Sequence, residues 1–183
     1  PTVSGTLPTP VDADVHDLVS FTPQTNASGS YGTLSLDANG NYTYILNNSL
    51  PVVQGLGVGE SLTDSFTFTV TDNHGGTATN TLTVTINGTN DIPVLAAATV
   101  NVAEDSAVTS GTLPMPTDAD VHDVVSFTPQ SNAPQLRHVQ CGCRRQLYLY
   151  AEYLSARSAG PGRWRKLTDT FTVTVSDNHG GTA

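Results

Sequence analysis

The chain has 183 residues, with 16 Asp and Glu against 7 Lys and Arg, for a formal net charge of −9. All seven Lys and Arg, both cysteines and the only tryptophan fall between residues 134 and 166; the remainder carries fifteen acids and no Lys or Arg. Such a surface has no cation to meet phosphate, which excludes nucleic acid and anionic lipid as partners of the acidic part. The absence of cysteine there excludes a disulfide scaffold and a thiolate metal site.

Taken in chain order, the pattern predicts strands throughout. The first acidic segment is DADVHD (Asp12–Asp17). Leu34 and Leu36, then Tyr42 and Tyr44, flank DANG (Asp37–Gly40), a turn sequence that predicts a hairpin. Phe66, Phe68 and Val70 alternate with Thr67, Thr69 and Thr71, the period of a half-buried strand. TDNHGG follows, and Leu82, Val84 and Ile86 then alternate with threonines in the same way. GTNDIPV (Gly88–Val94) reads as a linker. Val100 and Val102 suggest a further strand, and Val125 and Phe127 one more. Threonine suits the outward positions of an extended backbone. No segment holds a helical period. Short strands between Gly, Asn, Asp and Pro turns predict an all-β fold of antiparallel β-sandwiches.

The chain also repeats itself. SGTLPTPVDADVHDLVSFTPQTNA (Ser4–Ala27) returns as SGTLPMPTDADVHDVVSFTPQSNA (Ser110–Ala133), an offset of 106 residues. LTDSFTFTVTDNHGGTA (Leu62–Ala78) returns as LTDTFTVTVSDNHGGTA (Leu167–Ala183), an offset of 105. A period near 105 suits a whole domain in tandem rather than a solenoid unit. Two modules are expected, residues 1–91 and 92–183. Each is expected to lack a terminal strand. The first copy begins inside a motif that the second precedes with AAATVNVAEDSAVT, and the second stops where the first continues TNTLTVTINGTNDIPV. The sequence thus reads as a piece of a longer array.

Residues 134–166 match nothing in the first copy, and the genetic code offers a reason. GCRRQLYLY (Gly142–Tyr150) can be encoded GGA TGC CGC CGG CAA CTA TAC CTA TAC, which one base later reads DAAGNYTY, against DANGNYTY at Asp37–Tyr44. GPGRWRK (Gly160–Lys166) can be read one base later as GLGDGES, against GLGVGES at Gly55–Ser61. The stretch therefore reads as the second copy in a shifted frame. It is expected to leave the second sandwich without its central hairpin, or to fill that place poorly. Its basic and aromatic residues (Arg137, Arg144, Arg145, Trp164) and its Cys141–Gly142–Cys143 are read as damage before they are read as a nucleic-acid patch or a metal site.

Three acidic motifs recur: DADVHD at Asp12 and Asp118, DNHGG at Asp72 and Asp177, and the NDIP linker. Asp-x-Asp in extended backbone sends two carboxylates to one side. Calcium takes six to eight hard oxygen ligands of this kind. The bland alternative is that these residues are turn formers bonded to their own backbone. The histidines at 16, 74, 122 and 179 are read as loop residues rather than transition-metal ligands. No nucleophile elbow, HExxH or phosphate loop is present, and an enzyme is not expected.

VAEDSAVTSGTLPMPTDADVHDVVSF followed by TDNHGGTATNTLTVTINGTNDIPV resembles the VCBS repeat, a cadherin-like module of bacterial surface proteins. The order of its acidic motifs is also similar to that of animal cadherin repeats. That resemblance implies calcium at the junction of neighbouring modules. Carried over, it implies ligands from Asn90, Asp91 and the Ile92 carbonyl, with Asp118, Asp120 and Asp177 of the second module. Asp12, Asp14 and Asp72 match the same pattern in the first module, and Glu104 would face the following junction. Gly88 and Thr89 stand where cadherin linkers usually carry further ligands, so one or two ions per junction are expected rather than three.

The function expected from the resemblance is a calcium-stiffened structural or adhesive repeat of a large secreted or surface-anchored bacterial adhesin, of RTX type, associated with cell adhesion and biofilm. Its partners would be neighbouring repeats of the same chain, with other cell-surface proteins or glycans as further candidates. No nucleic acid and no membrane insertion by this segment are expected. A carbohydrate-binding accessory module is a second reading; it would need exposed aromatics around Tyr31, Tyr42 and Tyr44. A third is a frameshifted remnant without function.

Overall fold

The computed structural model describes residues 1–14, 16–101, 108–128, 137–141, 146–151 and 170–183. It divides into two compact units, Pro1–Thr89 and Asn90–Ala183. Both are built from antiparallel strands.

In the first unit, β1 (Thr2–Thr6), β2 (Ser20–Phe21), β3 (Gln24–Ser28), β4 (Gly32–Leu36) and β5 (Asn41–Leu46) precede one helical turn, α1 (Pro51–Gln54). Two long strands follow, β6 (Ser61–Thr71) and β7 (Thr77–Asn87). One sheet has the order β1-β5-β4-β3 and the other β2-β6-β7. The expected β4–β5 hairpin is present: Asp37 accepts the backbone N–H groups of Asn39 and Asn41, each at 2.9 Å, and Gly40 closes the turn at φ 86°. An Asx turn fixes the loop, and Gly tolerates that left-handed conformation. The β6–β7 pair runs in unbroken register from Ser61↔Asn87 to Thr71↔Thr77.

The alternating apolar residues meet between the sheets. Leu7, Phe21 and Leu36 form one cluster with Phe68 and Val70 against them; Leu34, Tyr44 and Phe66 form the next. Val53, Leu56 and Ile86 fill the far end. Tyr44 lies edge-on to Phe66 with centroids 5.8 Å apart, a favoured aromatic geometry. The Tyr42 ring crosses Gly5, where any Cβ would collide with its hydroxyl. That close approach explains β1, a strand that the hydrophobic alternation does not announce.

A carboxylate sits inside this core. Asp64 is 2% exposed and accepts the N–H of Ser30 (2.7 Å), the N–H of Tyr31 (3.0 Å) and the Tyr44 hydroxyl (3.0 Å). Three donors compensate its lost hydration. The same pressure from burial and the neighbouring anion pushes the Tyr44 phenol far above its ordinary value. Tyr44 is therefore spent on the core, and Tyr31 and Tyr42 pack against core clusters. No exposed aromatic row forms from these three residues, which removes the feature that a carbohydrate-binding reading required.

The second unit contains β8 (Val108–Thr112), β9 (Ser126–Phe127), β10 (Arg137–Cys141), β11 (Gln146–Ala151) and β12 (Val175–Ser176). β12 pairs with β9 through Val175↔Phe127, the counterpart of Val70↔Phe21 in the first unit. Leu113, Phe127 and Val175 form its buried cluster. Val100 lies outside any strand, and Val102 outside the described residues.

The second unit contains a central hairpin. β10 and β11 pair with one another, and β11 pairs with β8 from Val108↔Tyr150 to Thr112↔Gln146. The first unit has the same register, Thr2↔Ile45 to Thr6↔Asn41. The reason is that a ladder is made by backbone groups and needs only a period-two pattern from the side chains. Leu147 and Leu149 occupy the register positions of Tyr42 and Tyr44. Apart from β10 and β11, residues 134–166 lie outside the described residues, Cys143, Arg144, Arg145 and Trp164 among them.

Candidate metal centre

The DADVHD and DNHGG motifs come together in each unit, and each begins as a self-closing turn. Asp118 Oδ1 accepts the N–H of Asp120 (3.1 Å), as Asp12 Oδ1 does that of Asp14 (2.9 Å). Asp177 Oδ1 accepts the N–H groups of His179 and Gly181; Asp72 Oδ1 accepts those of His74 and Gly76. To this extent the turn-former reading is correct: one oxygen of each of these four acids shapes its own loop. The other oxygens remain for something else.

In the second unit the linker packs on them. Val94 bridges Thr117 through two backbone hydrogen bonds of 2.7 and 3.0 Å, and Pro93 is fully buried. This seats Asn90 and Asp91 beside the loops. The Asn90 amide donates to Asp177 Oδ2 (3.0 Å) and to the Asp91 carbonyl (2.9 Å). The Asp91 N–H donates to Asp120 Oδ2 (2.8 Å). Asp118, Asp120 and Asp123 offer carboxylate oxygens within 4.8 Å of one another.

Among the described residues, three buried acceptors in this assembly have no hydrogen-bond donor: Asn90 Oδ1, Asp118 Oδ2 and Asp120 Oδ1. A buried acceptor without a donor is costly, and a carboxylate more so. Asp120 shows the consequence. It is 2% exposed, and burial raises its pKa despite the Asp91 N–H, with Asp123, Asp91 and Asp118 adding their negative charge. Asp177 goes the other way: the Asn90 amide and the loop N–H groups hold its pKa below the ordinary value.

The first unit has the same loops without an Asn-Asp pair packed on them, and a different trio gathers. Asp12, Asp17 and Asp72 offer oxygens within 4.8 Å, while Asp14 is exposed. Asp72 is held below its ordinary pKa by its own loop's N–H groups. The difference has a direct cause. In the second unit Asn90 engages Asp177 Oδ2, and the Asp91 N–H draws Asp120 in; the Asp72 and Asp14 positions of the first unit lack both contacts.

The sequence-expected ligands thus separate into groups. Asn90, Asp118, Asp120 and Asp177 are in direct or shared contact. Asp91 contributes its N–H while its side chain is exposed, and the Ile92 side chain is exposed beside it. Asp12 and Asp72 meet in the first unit without Asp14. Glu104 lies outside the described residues. Sequence reasoning missed Asp17 and Asp123, the last residues of DADVHD. Their recurrence at the same place in both copies was the available signal.

The candidate ligand atoms are all oxygens, and three of them accept no hydrogen bond from the described residues. That set fits a hard divalent cation, and calcium in particular takes mixed carboxylate and amide oxygens. An antiparallel two-sheet domain repeated in tandem, with acidic loops gathered in each copy, defines a β-sandwich repeat module. Residues 1–88 match the family model of the bacterial cadherin-like domain, so the first module is similar to that domain. No curated protein matches the chain. No helix among the described residues is long and apolar enough to cross a membrane.

Proposed function

We propose that this chain is a calcium-stiffened structural and adhesive repeat of a large secreted or surface-anchored bacterial protein, without catalytic activity of its own. The observation that carries the reading is the trio of buried, donor-less oxygens on Asn90, Asp118 and Asp120. Asn90, Asp118 and Asp120 would hold the ion, with Asp123 completing the carboxylate group. Calcium would supply the positive charge that this part of the chain lacks altogether.

Stiffening follows from where the chain is already tied. The Gly88 N–H bonds the Glu60 carbonyl of the first unit at 2.9 Å, and Asn90 bonds Asp177 of the second at 3.0 Å. Thr89 alone separates these two anchored residues. Without the ion, repulsion among the buried carboxylates opposes seating of Asn90 and Asp91. With it, the repulsion is offset and the linker residues stay fastened. Extracellular calcium modules bind at about 10⁻⁴–10⁻³ M, which suits a device assembled outside the cell. Adhesion, biofilm and surface location are proposed with it, on the similarity of residues 1–88 to the bacterial cadherin-like domain. The test is thermal unfolding of chelator-treated protein with and without calcium. A rise is expected, worth about 2.7 kcal/mol at a hundredfold excess over Kd; no change would end the proposal.

A further inference from the structure

Both acidic loops are held by the same three consecutive side chains, each with a different task. Asp177 closes its own turn. Asn178 Oδ1 accepts the Val124 N–H at 2.7 Å, which ties the DNHGG loop to the residue following DADVHD. His179 Nδ1 faces both carboxylate oxygens of Asp123, at 2.9 and 3.1 Å. The first module repeats the set: Asn73 accepts the Leu18 N–H at 2.8 Å, and His74 Nδ1 lies 2.9 Å from Asp17.

The side chain of Asp123 is 2% exposed, and His179 is its side-chain partner among the described residues. Its oxygens stand within 4.8 Å of those of Asp118 and Asp120. Left alone, the Asp123 carboxylate would turn away from two like charges. A donor on its outer side holds it in the group. In the first module His74 holds Asp17 in the same way although no Asn-Asp pair packs on that cluster. The latch is thus a property of the two loops and does not depend on the linker.

We propose that His179 is a positioning residue for the metal centre: through Nδ1 it fixes Asp123 as a further ligand, and Asn178 fixes the loop that carries Asp123. His74 and Asn73 do the same for Asp17. This inference rests on the calcium reading above. Hydrogen-bonded partners of ligating side chains orient them and typically contribute 10–100-fold to metal affinity.

The experiment uses the full chain and three variants, His179→Ala, His179→Asn and Asp123→Asn. Asparagine places its Nδ2 the same number of bonds from Cα as histidine Nδ1, so His179→Asn can restore the donor without the imidazole. Calcium affinity is measured by calorimetry, the water count on the ion by europium luminescence lifetime, and fold by melting in chelator. His179→Ala is expected to weaken calcium about tenfold and to admit an additional water to the europium, with Asp123→Asn weakening calcium as well. His179→Asn is expected to recover most of the affinity and the original water count. Unchanged or tighter binding in His179→Ala overturns the positioning role, as does a loss of melting temperature in chelator with affinity intact. Should His179→Ala fail to fold, failure of His179→Asn to keep calcium affinity, or indifference of Asp123→Asn, overturns it equally. Absence of calcium binding by the unaltered chain would instead overturn the metal centre itself.

Discussion

The backbone N–H of Asp91 donates to the buried carboxylate of Asp120 at 2.8 Å, and the other Asp120 oxygen has no donor among the described residues. One linker residue therefore half-satisfies an acid that the fold has removed from water. The bond fastens the linker, and the remaining oxygen is the one that the proposed calcium site would use.

Asp120→Asn is expected to have opposite effects with and without calcium. In chelator it should raise the melting temperature of the second module at neutral pH, because a neutral amide costs less to bury than a carboxylate. The sign with pH follows from the raised pKa of Asp120. The folded state takes up its proton at higher pH than the unfolded chain. The unaltered protein should thus gain stability from this group as pH falls towards the ordinary carboxylate range, and the advantage of the variant should shrink. Asp177, with its pKa lowered, contributes stability above the ordinary range that is lost as pH falls through its lowered value. Melting curves across pH, with calcium absent and present, check both.

Asn90→Ala removes the amide that binds Asp177 and the donor-less oxygen beside it. Calcium affinity should fall about tenfold or more, as for loss of a ligand or its orienting partner. Melting of the first module should not change. Calorimetry and a two-transition melting curve measure the two quantities.

The Asp64 cluster is expected to matter for stability and not for calcium. Asp64→Ala leaves two N–H groups and the Tyr44 hydroxyl without their acceptor, a loss of about 3 kcal/mol and more than about 10 °C in Tm for a module of this size. Tyr44→Phe removes one donor of three and should cost about 1 kcal/mol. Calcium titration of Tyr44→Phe should match the unaltered chain.

Alternation made most of the sandwich legible beforehand. Phe66, Phe68 and Val70 announced β6; Leu82, Val84 and Ile86 announced β7; and DANG announced the hairpin. β1 was hidden because its partner contact is a glycine under a tyrosine ring. The second hairpin's backbone register was not legible, because its residues match none of those of the first copy. At the metal centre the motif order pointed to Asn90, Asp118, Asp120 and Asp177. It gave no weight to Asp123, whose place depends on a histidine 56 residues away in sequence. The burial of Asp64 was not legible in the sequence, because its three donors come from a loop and a strand of the opposite sheet.

Gly40→Ala tests the hairpin turn. The residue sits at φ 86°, and an added Cβ would come 2.6 Å from the Phe21 ring. Strain and collision together should destabilise the first module by about 2 kcal/mol. A chemical denaturation curve measures this, with calcium binding by the second module unaffected.

The most direct measurement is calorimetric titration of calcium into the chelator-stripped chain beside its Asp120→Asn variant. Saturable binding near 10⁻⁴–10⁻³ M, roughly, is expected in the first. In the variant that binding should be lost, while unfolding remains as cooperative. No saturable heat in the unaltered chain, or an undiminished isotherm in Asp120→Asn, would contradict calcium bound by the linker and the acidic loops of the second module.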